Sequence, residues 1–236
     1  MGWKQFYRIT SSDFKSYYDR AQKWGGLEPY KVVIGPAEYY GVGLIRSPAE
    51  GQSIWALSPK IQHVPGAQTR ITVKLIFYAD AGTPIGCAGN IYIVFYTNGD
   101  TAKDPQGGDA FGVGLGLDTV PGYNVAVLHE FTVEQSNNKI VLYLDGQKLG
   151  ETTLSGVLQS FALLVEVARY RVASEASAAQ DAHGIVIYEV VGEYYDVWED
   201  MFGTIAQAIH VAMFIAIGVM LLITVLRVFM SRREHG

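Results

Sequence analysis

A stretch of 24 residues without a charged side chain, residues 203–226, constrains this chain more than any other feature. A helix rises about 1.5 Å per residue, so the stretch would be about 36 Å long, whereas the hydrocarbon core of a bilayer is roughly 30 Å thick. Buried helices of soluble proteins rarely run this long without one charged face. The sequence therefore predicts one transmembrane helix over residues 203–229 and a basic tail over residues 230–236.

Residues at both ends of the stretch suit the two surfaces of a membrane. Trp198 precedes it, and Arg227, Arg232 and Arg233 follow it, as aromatic and basic residues commonly do at membrane interfaces. We expect these four residues to anchor the helix in the lipid bilayer. Residues 196–202 include three carboxylates and are expected to form an acidic juxtamembrane linker.

Small side chains recur within the predicted span. Ala208, Ala212 and Ala216 are four residues apart, so they fall on one helical face where a second helix could approach closely. This spacing indicates self-association. The frequency of alanine in membrane helices explains the same spacing equally well.

The side of the membrane on which residues 1–202 lie is left open by the sequence. The arginines of the tail favour a cytoplasmic tail and an external domain, but residues 1–30 contain no apolar core of a signal peptide. Insertion after synthesis, or assembly on the internal membrane of a virus, would resolve this conflict. An unpaired Cys87 and the absence of Asn-x-Ser/Thr sequons favour intracellular assembly. We expect a single-pass protein of a virion membrane or a cell surface.

Composition narrows the functional classes. Residues 1–202 contain 15 basic and 22 acidic side chains, and a nucleic-acid-binding domain would need a basic stripe. The chain has one cysteine, so no disulfide framework can form within it. The sequence thus predicts an acidic main domain that does not bind nucleic acid.

A period of two residues dominates residues 31–195. Apolar and polar side chains alternate along residues 70–78 and 90–96, so that one face of each run can be buried. Turn residues such as Asp145-Gly146 separate the runs. The pattern predicts an all-β sandwich over residues 31–195. The predicted strands are residues 32–34, 39–45, 53–57, 70–78, 90–96, 111–117, 123–133, 139–144, 161–170 and 185–191.

Two segments depart from this alternation. In residues 1–30, aromatic side chains recur at helical spacing from Phe14 to Trp24, which predicts a short helical arm that either caps the sandwich or binds a partner. The run Gly112-Val-Gly-Leu-Gly is not followed by a helical pattern, so we interpret it as a strand that allows close sheet packing and not as a phosphate-binding loop.

Three motifs resemble those of a known family. The run that begins at His129 and continues into Leu142-Tyr-Leu-Asp-Gly146 resembles the hairpin of concanavalin A-like and laminin-G-like jelly rolls. The segment 107–112, Gly-Gly-Asp-Ala-Phe-Gly, and the last predicted strand are also similar. The resemblance implies a concanavalin-like jelly-roll sandwich. It further implies that Asp109, with Asn98 nearby, touches a sugar.

Acidic residues raise two further kinds of site, a calcium site and a catalytic site. Asp100, Asp104 and Asp109 occur in one glycine-rich region and could supply oxygen ligands to calcium, although loops are rich in aspartate in any case. A glycosidase needs two carboxylates about 5 to 9 Å apart. Glu166 stands alone in its strand, and Glu130 and Glu134 are too far apart along theirs. We expect no cofactor, with calcium as the alternative, and no enzymatic activity.

The sequence thus predicts a non-enzymatic, membrane-anchored protein of structure or assembly, in a virion or a cell-surface layer. Its partners would be the lipid bilayer and neighbouring subunits of a homo- or hetero-oligomer. The alternative is a carbohydrate-binding adhesin or receptor-binding module that uses Asn98 and Asp109.

Membrane insertion is testable by extraction. We expect the full chain to stay in the membrane pellet after alkaline carbonate washing, because about 20 apolar residues suffice to span a bilayer. A variant that ends at Tyr195 should be released into the supernatant. Release of the full chain by carbonate would contradict the predicted span.

Overall fold

The computed structural model describes residues 3–49, 51–64, 68–79, 87–97, 109–116, 128–154, 156, 158–169 and 182–233. These residues belong to two compact units. The first unit is Trp3–Tyr195, and the second begins at Asp196.

The first unit is built from antiparallel strands, as the period of two residues predicts. A short helix α1 (Ser11–Asp19) is inserted near its beginning. Its described strands are β1 (Lys4–Ile9), β2 (Glu28–Ile34), β3 (Ala37–Arg46), β4 (Gln52–Leu57), β5 (Ile61–Gln62), β6 (Gln68–Ala79), β7 (Cys87–Thr97), β8 (Asp109–Gly116), β9 (Leu128–Ser136), β10 (Lys139–Leu144), β11 (Gln147–Thr153), β12 (Leu158–Arg169) and β13 (His183–Tyr195).

The strands form two sheets. The eight-stranded sheet has the order β11-β10-β9-β6-β13-β3-β2, and β1 also pairs with β13. The five-stranded sheet has the order β4-β12-β7-β8, and β5 also pairs with β12. Together with one carboxy-terminal apolar helix, this arrangement confirms the predicted all-β, jelly-roll sandwich.

The main core lies between the two sheets. It contains large side chains from both, including Phe131 and Ile187 of the larger sheet and Phe95 and Phe161 of the smaller one. Each of these side chains is inaccessible to solvent. Burial of a large apolar side chain contributes about 1.5–3 kcal/mol, so the alternation of apolar residues along the strands fixes which face of each sheet is buried.

The segment expected as a separate helical arm, residues 1–30, is part of the sandwich. Strand β1 pairs with β13, a pairing that the sequence prediction missed because the two strands are far apart in the chain. Helix α1 carries the fully buried Phe14 into the main core, and the Tyr40 backbone N–H donates to Ser11 Oγ at 2.7 Å. The domain boundary predicted at residue 30 therefore moves to the first described strand.

The second unit is helix α2 (Val197–Arg233). Within it, Met201–Thr224 is long and apolar enough to cross a membrane. The expected linker 196–202 is helical from Val197, because carboxylates such as Glu199 are favoured in the first turn of a helix. The helix also continues past residue 229, so residues 230–233 of the expected tail are helical as well.

Glycine lets strands β3 and β13 approach closely. A β-carbon added to Gly43 would collide with the carbonyl oxygen of Ile185, and one added to Gly184 would collide with that of Leu44. Both obstacles are backbone atoms in the middle of the larger sheet. A larger residue at either position therefore forces the two strands apart.

This close approach is testable with a pair of matched variants. Gly43→Ala should lower the free energy of unfolding by about 1–3 kcal/mol, because the backbone of β13 has to shift. Gly150→Ala is the control, since a β-carbon at Gly150 would meet nothing within 4 Å. Urea denaturation measures both. Equal free energies of unfolding for the two variants would contradict the close approach.

Candidate functional site

The five-stranded sheet places a second set of side chains on its outer face, opposite the main core. In β7 and β12 the core takes Ile91, Ile93, Val165 and Val167. The residues between them in sequence therefore point to the outer face, because side chains alternate along a strand. These outer residues include Asn90, Tyr92, Leu164 and Glu166.

Glu166 is the centre of a polar group on this face. Its Oε2 atom accepts a hydrogen bond from Asn90 Nδ2 at 2.9 Å and another from the Tyr92 hydroxyl at 3.2 Å. Asn90 lies directly opposite Glu166 in the neighbouring strand and is only 4% exposed. The buried amide and the phenol thus fix the carboxylate in one orientation.

The other oxygen of this carboxylate, Oε1, is not used in these hydrogen bonds. Glu166 Oε1 makes no hydrogen bond within the part of the chain that the structure describes. Glu166 is half-buried, so this oxygen is an acceptor held in place by its neighbours. A hydrogen bond to a charged group contributes about 1.5–3 kcal/mol.

Trp55 lies beside Glu166 in the neighbouring strand β4, on the side away from Asn90. Trp55 of β4 pairs with Glu166 of β12, and residues that lie directly opposite each other share a face of the sheet. Trp55 is 43% exposed, although large aromatic side chains are usually well buried. The indole–carboxylate site, defined as Trp55, Asn90, Tyr92 and Glu166, therefore combines an accessible ring with an oriented acceptor.

Backbone lines a further side of the indole–carboxylate site. Gly114 of β8 pairs with Asn90, and Gly112 pairs with Tyr92. These glycines were expected to serve close packing of the sheets, but the register places them on the outer face. At these positions β8 contributes backbone alone to this face.

An apolar cluster adjoins the indole–carboxylate site. Val94, Ala162 and Leu164 are buried on the same outer face, and Leu57 and Tyr92 pack against them. Tyr96 also belongs to this cluster, and Lys60 Nζ lies 3.7 Å from the centre of its ring. The low polarity of this neighbourhood strengthens hydrogen bonds made by the carboxylate.

The residues expected to bind sugar or calcium fall only partly within the described residues. Asn98, Asp100 and Asp104 fall outside the described residues. Asp109 is the first residue of β8 and pairs with Phe95, five residues before Gly114, which corresponds to about 17 Å along a strand. Within the described residues, no group of three His, Cys, Asp or Glu side chains is placed to hold a metal ion. The sugar and calcium assignments to these residues remain predictions.

The residues expected to anchor and pack the membrane helix all belong to α2. Trp198 is in its first turn, and Arg227, Arg232 and Arg233 are near its end. Ala208, Ala212 and Ala216 share one face of α2 by their spacing, and all three are exposed. Their roles in anchoring and in self-association remain predictions.

The hairpin that carries the family resemblance has a local structural role. His129 Nδ1 lies 2.8 Å from Asp145 Oδ2, and the Glu130 backbone N–H donates to Asp145 Oδ1 at 2.8 Å. Asp145 has a φ of 51° and precedes Gly146 in the turn between β10 and β11. The histidine and the aspartate of this motif therefore close a turn.

The sequence prediction missed Trp55, Asn90 and Tyr92 and treated Glu166 as isolated. The available signal was the alternation itself. It places Glu166 and Leu164 on the same face of one strand, and Asn90 and Tyr92 on the same face of another strand. Their meeting depends on the pairing of β12 with both β4 and β7, which only the structure provides.

Comparison with known proteins gives likenesses of structure alone. No protein-family model and no curated protein matches this sequence. Among solved structures, the catalytic domain of an endo-1,3-beta-glucanase (laminarinase) from Thermotoga petrophila RKU-1 is 12% identical, with a TM-score of 0.43 and coverage of 83% of this chain and 99% of that chain.

Two further solved structures show a similar degree of likeness. The carbohydrate recognition domain of Emp47p is 9% identical, with a TM-score of 0.44 and coverage of 82% of this chain and 97% of that chain. A carbohydrate esterase from the Shiga toxin-encoding bacteriophage phi24B is 13% identical, with a TM-score of 0.44 and coverage of 83% and 100%. None of these likenesses assigns a role to a residue of this chain.

Two substitutions of Glu166 test the hydrogen bonds of this site. Glu166→Ala should lower the free energy of unfolding by about 1–3 kcal/mol, because Asn90 and Tyr92 lose their shared acceptor. Glu166→Gln keeps an acceptor oxygen and should cost less than about 1 kcal/mol. Urea denaturation measures both variants. An alanine variant as stable as the glutamine variant would contradict the contacts described.

Proposed function

We propose that this chain is a membrane-held glycan-binding protein, and that its sandwich binds a neutral saccharide at the indole–carboxylate site without cleaving it. The observation that carries this proposal is the exposed Trp55 ring beside the oriented Glu166 carboxylate. An apolar surface with a few fixed polar groups is the usual composition of a small-ligand site.

Saccharides match these two groups chemically. A sugar ring has an apolar face of C–H groups that can lie against the exposed indole ring, which offers a large apolar surface with a polar N–H. Its hydroxyls can donate to Glu166 Oε1, the oxygen that is open within the described structure.

The charge of the site disfavours an anionic ligand. In the described strands β4, β7 and β12, Glu166 is the only carboxylate. A sulfated or carboxylated saccharide would bring a like charge close to Glu166, and such contacts are costly when partly desolvated.

The separation of carboxylates supports binding without hydrolysis. On the described strands of the five-stranded sheet, the second acidic residue is Asp109, at the far end of β8 and about 17 Å along that strand from the level of Glu166. A glycosidase pair requires about 5 to 9.5 Å. We therefore assign Glu166 the role of a hydrogen-bond acceptor for the ligand.

Helix α2 supplies the membrane attachment in this proposal. Its segment Met201–Thr224 satisfies the length and composition of a span. A virion membrane and a cell surface remain the two predicted locations. In either location the sandwich would present the indole–carboxylate site to glycans near the membrane.

A role in assembly is the second candidate, and the larger sheet offers one observation in its favour. Strand β2 is the last strand in the order of that sheet, so the described structure leaves its outer side without a partner strand. Val33 of this strand is 57% exposed. Open edge strands can pair with another chain, as the predicted packing of neighbouring subunits would require.

A glycan array tests the proposed function. We expect the full chain in detergent micelles to bind neutral saccharides saturably. Trp55→Ala and Glu166→Gln should each weaken binding by about tenfold, the effect of about 1.4 kcal/mol. Leu149→Ala is the control, because Leu149 is also an exposed apolar residue but belongs to β11 of the other sheet. This variant should bind as the original chain does.

Two results would contradict the proposal. Equal losses in Trp55→Ala and Leu149→Ala would show that binding does not depend on the indole–carboxylate site. Failure to bind any saccharide, together with recovery of the chain in a particle of fixed stoichiometry, would favour the assembly role.

A further inference from the structure

The outer face of the eight-stranded sheet carries a cleft of about 420 Å³. This volume lies within the range of about 300–1,000 Å³ that is common for small-ligand sites. The cleft crosses strands β10, β9, β6 and β13, on the sheet that does not contain the indole–carboxylate site. We call it the ladder cleft and define it by Arg70, Lys74, Glu130, Thr132, Glu134 and Tyr143.

Two charged rows border the ladder cleft. In one row, Arg70 Nε lies 2.9 Å from Glu193 Oε2, and Arg70 Nη1 lies 3.8 Å from Glu134 Oε1. In the other row, Lys74 Nζ lies 2.8 Å from Glu189 Oε2. Between the rows, the Thr72 and Thr132 hydroxyls are 3.3 Å apart. The floor is therefore polar but uncharged.

The cations of the cleft are already engaged. Burial would raise the pKa of Glu189, but hydrogen bonds from Lys74 and Arg8 outweigh this effect and lower the pKa. Glu189 is thus an ionised partner for Lys74. Arg70 is held by Glu193 and also lies 4.5 Å from the centre of the Trp3 ring. Lys74 is thus held at Glu189, although Glu130 lies directly opposite it in β9.

One carboxylate remains without a partner. The cleft is lined by Glu130, Glu134 and Glu193 against Arg70 and Lys74. Within the described chain, the Glu130 side chain makes no ion pair or hydrogen bond, whereas its neighbours Glu134 and Glu193 share Arg70. Lys74 and Arg8 also share Glu189, so four carboxylates face three cations and the group is one positive charge short. Glu130 lies directly opposite Lys74 in the register, and it is the carboxylate of this group that makes no ion pair.

An aromatic ring lies next to this deficit. Tyr143 of β10 pairs with Thr132 of β9, so it is the diagonal neighbour of Glu130 on the same face, within reach of a long or aromatic side chain. A ring beside a carboxylate is a favourable environment for an ammonium group, which is attracted by both. The two threonine hydroxyls can exchange hydrogen bonds with hydroxyl groups of the same ligand.

From this geometry we infer that the ladder cleft is a second ligand site, which takes a small hydroxylated molecule with one protonated amino group. The amino group lies between Glu130 and Tyr143 and balances the charge of the cleft. The hydroxyl groups lie over Thr72 and Thr132. This inference is independent of glycan binding at the indole–carboxylate site, because no residue is shared.

Glucosamine and N-acetylglucosamine provide a matched pair of probes. In mildly acidic buffer the first carries a protonated amine, and the second has the same ring with a neutral amide. We expect an NMR titration of the full chain in micelles to show saturable shifts at Glu130, Thr132 and Tyr143 with glucosamine. N-acetylglucosamine should bind this site with an affinity about fivefold lower, as expected for the loss of one partly exposed charge pair.

Charge-matched variants separate the site from the general acidity of the protein. Glu130→Gln should weaken glucosamine binding about fivefold. Glu151→Gln removes the same charge from β11, where Glu151 is paired with Lys139 and Lys148, and should leave binding unchanged. Trp55→Ala should leave the glucosamine-induced shifts at Glu130, Thr132 and Tyr143 unchanged, which distinguishes this site from the indole–carboxylate site.

Three results would overturn the inference. The first is equal chemical-shift changes at Glu130, Thr132 and Tyr143 with glucosamine and with N-acetylglucosamine. The second is an equal loss of affinity in Glu130→Gln and Glu151→Gln. The third is loss of the glucosamine shifts at Glu130, Thr132 and Tyr143 in Trp55→Ala, which would assign the binding to the other sheet.

Discussion

Strand β13 is the element on which the larger sheet depends. It pairs with β6 from His183 to Tyr195, and on its other side it pairs first with β3 and then with β1. A register shift between Ile187 and Glu189 marks the change from one partner to the next. Close contact with β3 requires glycine at Gly43 and Gly184. These constraints set the register of the surrounding strands, and register decides which side chains share a face.

Both candidate sites lie on the sheet faces that point away from the main core. Alternation sends one set of side chains into the space between the sheets and the other set outward. On the smaller sheet the outward set brings Trp55, Glu166 and Asn90 side by side. On the larger sheet it produces alternating rows of ion pairs and threonines around Arg70 and Lys74. The first surface suits an uncharged ligand, and the second has an unbalanced carboxylate at Glu130.

Much of the fold could be predicted from the sequence, because alternation and turn residues are local signals. The strand expected over residues 70–78 is β6, and the hairpin at Asp145-Gly146 joins β10 to β11. Strand β1 was missed because its place depends on a partner 190 residues away in the chain, Tyr194 for Lys4. The indole–carboxylate site was missed for the same reason: Trp55, Asn90 and Glu166 come from three strands, and local patterns do not specify which strands pair. The uncharged stretch 203–226 needed no such partner, and the helix found there matches the expectation.

The most direct test of glycan binding is an NMR map of the full chain in micelles with a neutral saccharide selected from the array. We expect the shifts to cluster at Trp55, Asn90, Tyr92 and Glu166, with the Trp55 indole N–H among the largest. Shifts confined to the larger sheet, or spread evenly over the surface, would contradict the assignment of the glycan to the five-stranded sheet.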